Sequence, residues 1–268
     1  MSETLSQSDS TVVVSNHILG LVDTVRGTVP QELFRPKTLH DLRTTEFQID
    51  LIDFIKNHPQ TDFVYRFDLP EYRLMQGQEC LLALPVDTGK GLFVGGSTAL
   101  HYITGYLKGE NNVNWKSTDV DLFFLNCIHN SRMEGAPGAL DFVFCKEKTI
   151  EDVLLNFDLP CCRVGFDLKY NFYISAQALV SIFTGKMYLP SFFSTPHDFT
   201  QKLDEYKDIE SGWHHQSVTK MIVNRFYERV KKYQSRGFKT IYTHLDYMLP
   251  WVQNRFTYID FSTKKSEK

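Results

Sequence analysis

The spacing of hydrophobic positions changes repeatedly along this chain, and each change predicts an element. In TTEFQIDLIDFIKNHP (44–59), Phe47, Ile49, Leu51, Ile52 and Ile55 predict a helix, with Thr44 or Thr45 as its cap. DFVYRF (62–67) and ECLLALPV (79–86) are short and apolar, and predict strands. GLFVGG (91–96) predicts a strand ending in glycines. STALHYITGYLKG (97–109) follows as a helix, with Leu100, Ile103 and Leu107 at helical spacing. The polar stretch KGENNVNWKST is a loop. DVDLFFLN (119–126) and ALDFVFCK (139–146) predict strands, with SRMEGAPG (131–138) as a loop between them. TIEDVLLNF predicts a helix capped by Thr149, with Asp152 three residues on. CCRVGFDL and YNFYIS predict a strand pair, and SAQALVSIFTGKM a helix that ends at Gly185. After Pro190 and Pro196 the chain is helical and more basic. SVTKMIVNRFYERVKKYQSRGF (217–238) has the strongest helical period, with an apolar stripe of Val218, Met221, Ile222, Phe226 and Val230.

Composition narrows the classes. The 268 residues suit one large domain or two small ones, and 42% hydrophobic residues with 14% aromatic ones provide for a sizeable core. A net charge of −3 announces no global field for nucleic acid or an acidic membrane. No run of about 18 apolar residues predicts a membrane-spanning helix. The first fifteen residues lack the basic start and apolar centre of a signal peptide. Cys80, Cys127, Cys145, Cys161 and Cys162 are odd in number and match no zinc spacing, so reduced, mostly buried thiols and a cytoplasmic protein are expected. The adjacent His214 and His215 do not share a helix face and read as surface residues.

Two neighbouring stretches break local preference. Aspartate is a poor strand former, yet STDVDLFF (117–124) alternates two aspartates into an apolar strand. Strand side chains alternate faces, so Asp119 and Asp121 point the same way, with β-carbons about 7 Å apart. Such a pair repels unless a cation lies between, and Mg²⁺ or Mn²⁺ prefers carboxylate and phosphate oxygens. Two such ions roughly 3.5–4 Å apart can clamp an in-line displacement at phosphorus. The second stretch, GLFVGGSTAL, leads from glycines into a helix start, where backbone N–H groups and the helix dipole favour anions. Gly95, Gly96 and Ser97 are therefore candidates to hold a triphosphate. DTGKGL (87–92) is not a Walker A loop, because glycine stands where that loop needs Ser or Thr.

The order strand, GGS, helix, polar loop, D-x-D strand resembles the DNA polymerase β-like nucleotidyltransferase superfamily, which includes poly(A) polymerases and tRNA CCA-adding enzymes. GGSTAL, WKSTDVD, FDLPCC and RVKKYQSRGF further resemble motifs of a divergent group in it, found in large DNA viruses, fungi and amoebae. The likeness covers roughly residues 90–240, and WKSTDVD is one residue longer than the group's pattern. It implies an α+β fold: a mixed sheet flanked by helices, with a helical C-terminal region. The expected organisation is an N-terminal arm (1–40), partly flexible, a nucleotidyltransferase core (41–195) and a helical C-terminal region (196–268).

A two-ion site needs a third carboxylate. Asp141, in the apolar strand ALDFVFCK, matches the superfamily's usual third position. Asp158, in NFDLPCC, resembles the aspartate that handles the incoming nucleotide in CCA-adding enzymes, and Asp167 is a weaker choice. Without the resemblance, Asp158 reads as a turn residue before Pro160 and Asp141 as a strand-edge residue facing water. Arg225, Arg229, Lys232 and Arg236 are spaced four, three, four along one helix face. In the superfamily such residues close over the triphosphate, which would make Arg229 and Lys232 nucleotide contacts; the alternative is a solvated face. Lys116 reads as a loop lysine, and Tyr227, Tyr233, Phe238 and Tyr242 as core residues or base-stacking groups.

The resemblance thus implies an Mg²⁺- or Mn²⁺-dependent enzyme that moves NMP from an NTP to an acceptor hydroxyl and releases pyrophosphate. An RNA 3′ end or tRNA is the favoured acceptor, with protein and small molecules open. The rivals are a catalytically degraded binding module, in which Asp141 and Asp158 would both turn away from the Asp119/Asp121 pair, and a cyclic-oligonucleotide synthase.

Overall fold

The computed structural model describes residues 12–13, 29–34, 36, 38–68, 91–109, 112–117, 119–128, 130–133, 140–167, 171–210 and 216–244. β1 (Val12–Val13) and two short 3-10 helices (Gln31–Phe34, Asp41–Arg43) precede α1 (Thr45–Asn57). Then come β2 (Val64–Asp68), β3 (Leu92–Gly95), α2 (Ser97–Lys108), β4 (Val120–Phe124), β5 (Ser131–Met133) and β6 (Leu140–Phe144). α3 (Ile150–Leu155), β7 (Val164–Asp167), β8 (Asn171–Ser175), α4 (Ala176–Thr184) and β9 (Lys186–Pro190) follow. Last are α5 (Pro196–Glu210), α6 (Gln216–Ser235) and β10 (Lys239–Thr243).

The fold is α+β. One sheet of eight strands has the order β1-β2-β8-β7-β3-β4-β6-β5. Only the β4–β6 pair within it is parallel; its other ladders are antiparallel. β9 and β10 form a separate parallel pair, which ties the chain after α6 back to the segment after α4.

Each face of the large sheet has its own core. The larger one collects Leu51, Ile55, Ala99, Leu100, Ile103, Leu122 and Leu179 from α1, α2, β4 and α4, together with Ile222, Phe226 and Val230 from α6. α4 is buried along most of its length because it lies under α1, β8 and β9. The smaller core packs Ile150, Val153 and Leu154 of α3 on Phe93, Phe123 and Tyr173. Thr149 caps α3 by accepting from the Asp152 N–H (3.2 Å), and Gly185 ends α4 in the left-handed conformation (φ 68°).

Four local expectations need correction. Residues 131–133 form strand β5 rather than loop: all three are exposed, so no burial pattern marks them, and pairing with β6 makes the strand. β9 and β10 also extend beyond the helices expected there: Lys239 donates to the Gly185 carbonyl (2.7 Å) and starts the ladder between them. Ile49 and Met221 leave their apolar stripes and stand exposed, since α1 and α6 present narrower faces to the core. The expected strand at 79–86, Cys80, the 87–92 stretch, His214 and His215, most of the N-terminal arm and the charged tail lie outside the described residues. Cys145, Cys161 and Cys162 are buried free thiols and Cys127 is half-buried; burial pushes Cys145 up to about 12, which keeps it protonated. Among the described residues no helix is long and apolar enough to cross a membrane.

Candidate active site

Strand register builds the centre of the site. Gly95 pairs with Asp121 across β3–β4, and Asp121 pairs with Asp141 across the parallel β4–β6 ladder. The three positions form a row across adjacent strands, each about 4.8 Å from the next. Asp119, two residues before Asp121, shares its face. Carboxylate oxygens of Asp119, Asp121 and Asp141 all lie within 4.8 Å of one another. They sit at the open end of the face whose other end α3 covers with the smaller core. Burial raises the Asp121 pKa, the Arg132 guanidinium opposes the rise, and the charges of Asp119 and Asp141 add to it. All donors are hard carboxylate oxygens, a set that fits Mg²⁺ or Mn²⁺.

Beside this row, β3 runs into α2 through Gly96. The φ of 71° and ψ of −135° at Gly96 lie where only glycine is unstrained. A β-carbon there would stand 3.4 Å from Asp121 Oδ2. The two glycines therefore differ in role. Gly95 lacks a side chain because the rings of Phe93 and Phe123 fill that space, at 3.0 and 3.1 Å from where a β-carbon would lie. The Gly96 N–H is used in the sheet, donating to the Val164 carbonyl (3.1 Å). The amides that α2 can offer to an anion are those of its first turn, from Ser97 on, which have no acceptor within the helix.

Ser97 and Thr98 are buried and anchor this turn to the carboxylate strand. Ser97 Oγ lies 2.7 Å from Ser117 Oγ, Thr98 donates to the Asp119 carbonyl (2.7 Å), and so does Ser117 (3.0 Å). With the Ser117 proton on the Asp119 carbonyl, Ser97 is the donor to Ser117 Oγ.

Three cationic side chains line the site. Arg132 of β5 contacts Asp121 Oδ1 through Nη2 at 3.2 Å, and the same nitrogen contacts Asp141 Oδ2. From α6, Arg229 contacts Asp158 at 2.9 Å and Lys232 reaches Asp119 at 3.9 Å. Burial works against the charge on Arg229, but Asp158 and the neighbouring Cys162 and Tyr233 outweigh it and raise the pKa. Arg236, one turn on, stacks over Trp115 at 4.4 Å, in the loop that leads to Asp119. The spaced face of α6 thus meets the site through three of its four positions, while Arg225 and Lys116 are exposed. Tyr233 and Phe238 are buried, and the Tyr227 hydroxyl donates to the Phe193 carbonyl (2.7 Å); with Tyr242 these rings belong to the larger core.

The two candidates for the third carboxylate separate in space. Asp141 joins the pair. Asp158 is buried behind it, accepting from the Leu159 N–H (2.9 Å) and from Arg229. Asp167, at the end of β7, accepts from Asn171 (2.7 and 2.9 Å) and Tyr173 (3.2 Å) of β8. The arrangement expected of a degraded module, with Asp141 and Asp158 both turned away, is not what the structure has. Sequence reasoning missed Arg132, which lies in the stretch read as loop. A polar Ser-Arg-Met just before the EGAPG turn and the Asp141 strand is the hairpin signal that could have found it.

No known family profile matches this chain, and no curated protein does. Solved structures are similar to it at low identity. A tRNA-processing enzyme in an apo form is 10% identical with a TM-score of 0.34, over 70% of this chain and 64% of that one. The Thermotoga maritima CCA-adding enzyme complexed with tRNA is 11% identical with a TM-score of 0.28, over 70% of this chain and 55% of that one. A CCA-adding enzyme in complex with ATP is 11% identical with a TM-score of 0.27, over 73% and 46%. The chain thus spans less than two thirds of each of these structures. Likeness at this level says nothing of chemistry, which only the side chains can address.

Proposed function

We propose that this chain is a divalent-metal-dependent nucleotidyltransferase that moves NMP from an NTP to an acceptor hydroxyl, with release of pyrophosphate. One observation carries the reading: three carboxylates from two parallel strands meet within 4.8 Å beside the N-terminus of α2. The motif resemblance favours an RNA 3′ end or tRNA as acceptor.

Asp119, Asp121 and Asp141 would hold Mg²⁺ or Mn²⁺, whose charge would polarise the α-phosphate and make the acceptor hydroxyl a better nucleophile. The first-turn amides of α2, with Ser97, bind the β- and γ-phosphates. Arg229 and Lys232 add positive charge from the α6 side, where charge-assisted contacts to phosphate oxygens are strong. Asp141, on the strand farther from α2, would take the acceptor's proton on a carboxylate oxygen. The acceptor oxygen bonds to the α-phosphorus, the bond to the β-phosphate oxygen breaks, and pyrophosphate leaves toward α2.

The test is incubation with each α-³²P-labelled NTP, Mg²⁺ or Mn²⁺, cellular RNA and protein extract, beside the Asp119→Ala/Asp121→Ala variant. Label in RNA that disappears with the variant is the expected result. Label in no product, while NTP still binds, would leave a nucleotide-binding module and overturn the reading.

A further inference from the structure

Across the sheet, the strands at the site follow the order β3-β4-β6-β5. The corresponding residues are Gly96 with the start of α2, then Asp119 and Asp121, then Asp141, then Arg132. The site is thus polar from one side to the other. The triphosphate cradle lies at one end and a single arginine at the other, with the carboxylates between. The cations of α6 belong to the cradle end: Lys232 reaches Asp119, and Asp158, the partner of Arg229, follows Phe157, whose ring is near Gly96.

In an in-line displacement the entering and leaving oxygens occupy opposite sides of phosphorus. With the leaving pyrophosphate at α2, the attacking hydroxyl must come from the β6–β5 side. Arg132 stands on that side and is 52% exposed, on an edge strand that is exposed throughout. Its guanidinium has donors beyond those spent on Asp121 and Asp141, and its fork geometry matches a phosphate. An anion bound there lies on the far side of the carboxylates from the start of α2.

We infer, resting on the transferase reading above, that Arg132 is an acceptor-positioning residue that binds a phosphate next to the attacking hydroxyl. The acceptor is then a nucleic-acid end, whose last phosphodiester lies next to its free hydroxyl, rather than an unphosphorylated protein or sugar hydroxyl. When Asp121 and Asp141 hold a metal ion, the Arg132 donors they occupy here would be freed for that phosphate.

The experiment uses a short single-stranded RNA with a free 3′-hydroxyl, and the same RNA with its last phosphodiester replaced by an uncharged methylphosphonate. Binding is read by fluorescence anisotropy in Mg²⁺ with a non-hydrolysable NTP analogue. For the wild type, neutralising that linkage should weaken binding about tenfold, the scale of one charge-assisted contact. Arg132→Met should bind the normal RNA about as weakly as the wild type binds the neutral one, and lose its preference between them; Arg132→Lys should keep part of it. Equal preference in the wild type and Arg132→Met would overturn the inference, as would a loss of NTP-analogue affinity in Arg132→Met as large as its loss of RNA affinity. Transfer to a protein or small molecule with no binding of RNA would overturn it and leave the transferase reading standing. No transfer to any acceptor would remove both.

Discussion

Two arginine–carboxylate clusters border the same sheet and use the same chemistry to opposite ends. In the first, Arg163 donates to Asp62 (2.7 Å), to the Gln177 side chain (3.3 Å) and to the Phe157 carbonyl (3.1 and 3.2 Å). Asp62 in turn accepts from the backbone amides of Phe63 and Gln177, both at 3.0 Å, the second in the first turn of α4. Both side chains are almost wholly buried, at 2% and 6% exposure. In the second cluster, Arg132, Arg229 and Lys232 face Asp121, Asp141, Asp158 and Asp119, and the cations are 41–52% exposed. The first cluster is closed: its charges are spent on one another and on backbone groups. The second is open, with cations that keep donors toward solvent and carboxylates crowded on one face. A closed pair is costly to break at one partner; an open one can exchange its partners for a ligand's.

This contrast breaks most visibly at the open cluster. Asp119→Ala/Asp121→Ala should lower nucleotidyl transfer by about a thousandfold or more, while the melting temperature hardly moves, because the change removes crowded charge rather than packing. An equal fall in melting temperature would make the open cluster structural and erase the contrast. At the closed cluster the readouts reverse. Arg163→Met strands the Asp62 charge and should cost about 3–5 kcal/mol in urea unfolding. Adding Asp62→Leu should recover much of that loss. Arg229→Gln sharpens the difference within the site. Filter binding of labelled NTP should show a loss of about 2 kcal/mol, roughly thirtyfold, if Arg229 makes the phosphate contact proposed for it. The smallest effect is expected at Gly96→Ala. Its strained backbone should cost about 1–2 kcal/mol in unfolding and raise the KM for NTP a few-fold.

Much of this was legible in the residues. The helix at 45–57, the cap at Thr149, the stop at Gly185 and the long helix at 216–235 follow from local spacing and capping. Strands β5, β9 and β10 did not: β5 has no burial pattern, and β9 and β10 are short stretches after helices that pair with each other across the chain. Arg132 was hidden for the same reason. Asp62 and Arg163 lie 101 positions apart, and neither neighbourhood signals the other.

The sequence by itself determined that Asp119 and Asp121 share a face. Strand period is two, and Val120 between them and the buried Leu122 beyond them face the other side, so a slip by one residue would drive the carboxylates into the core. It also determined that a helix starts right after Gly96. Only the tertiary structure set Asp141, and not Asp158, beside the Asp119/Asp121 pair, since both lie in or near apolar stretches of the sequence. The parallel pairing of β4 with β6 sets Asp141 opposite Asp121, and the docking of α6 gives Asp158 to Arg229. Both are contacts between segments far apart in the chain, set by how whole faces bury one another, and no local periodicity encodes them.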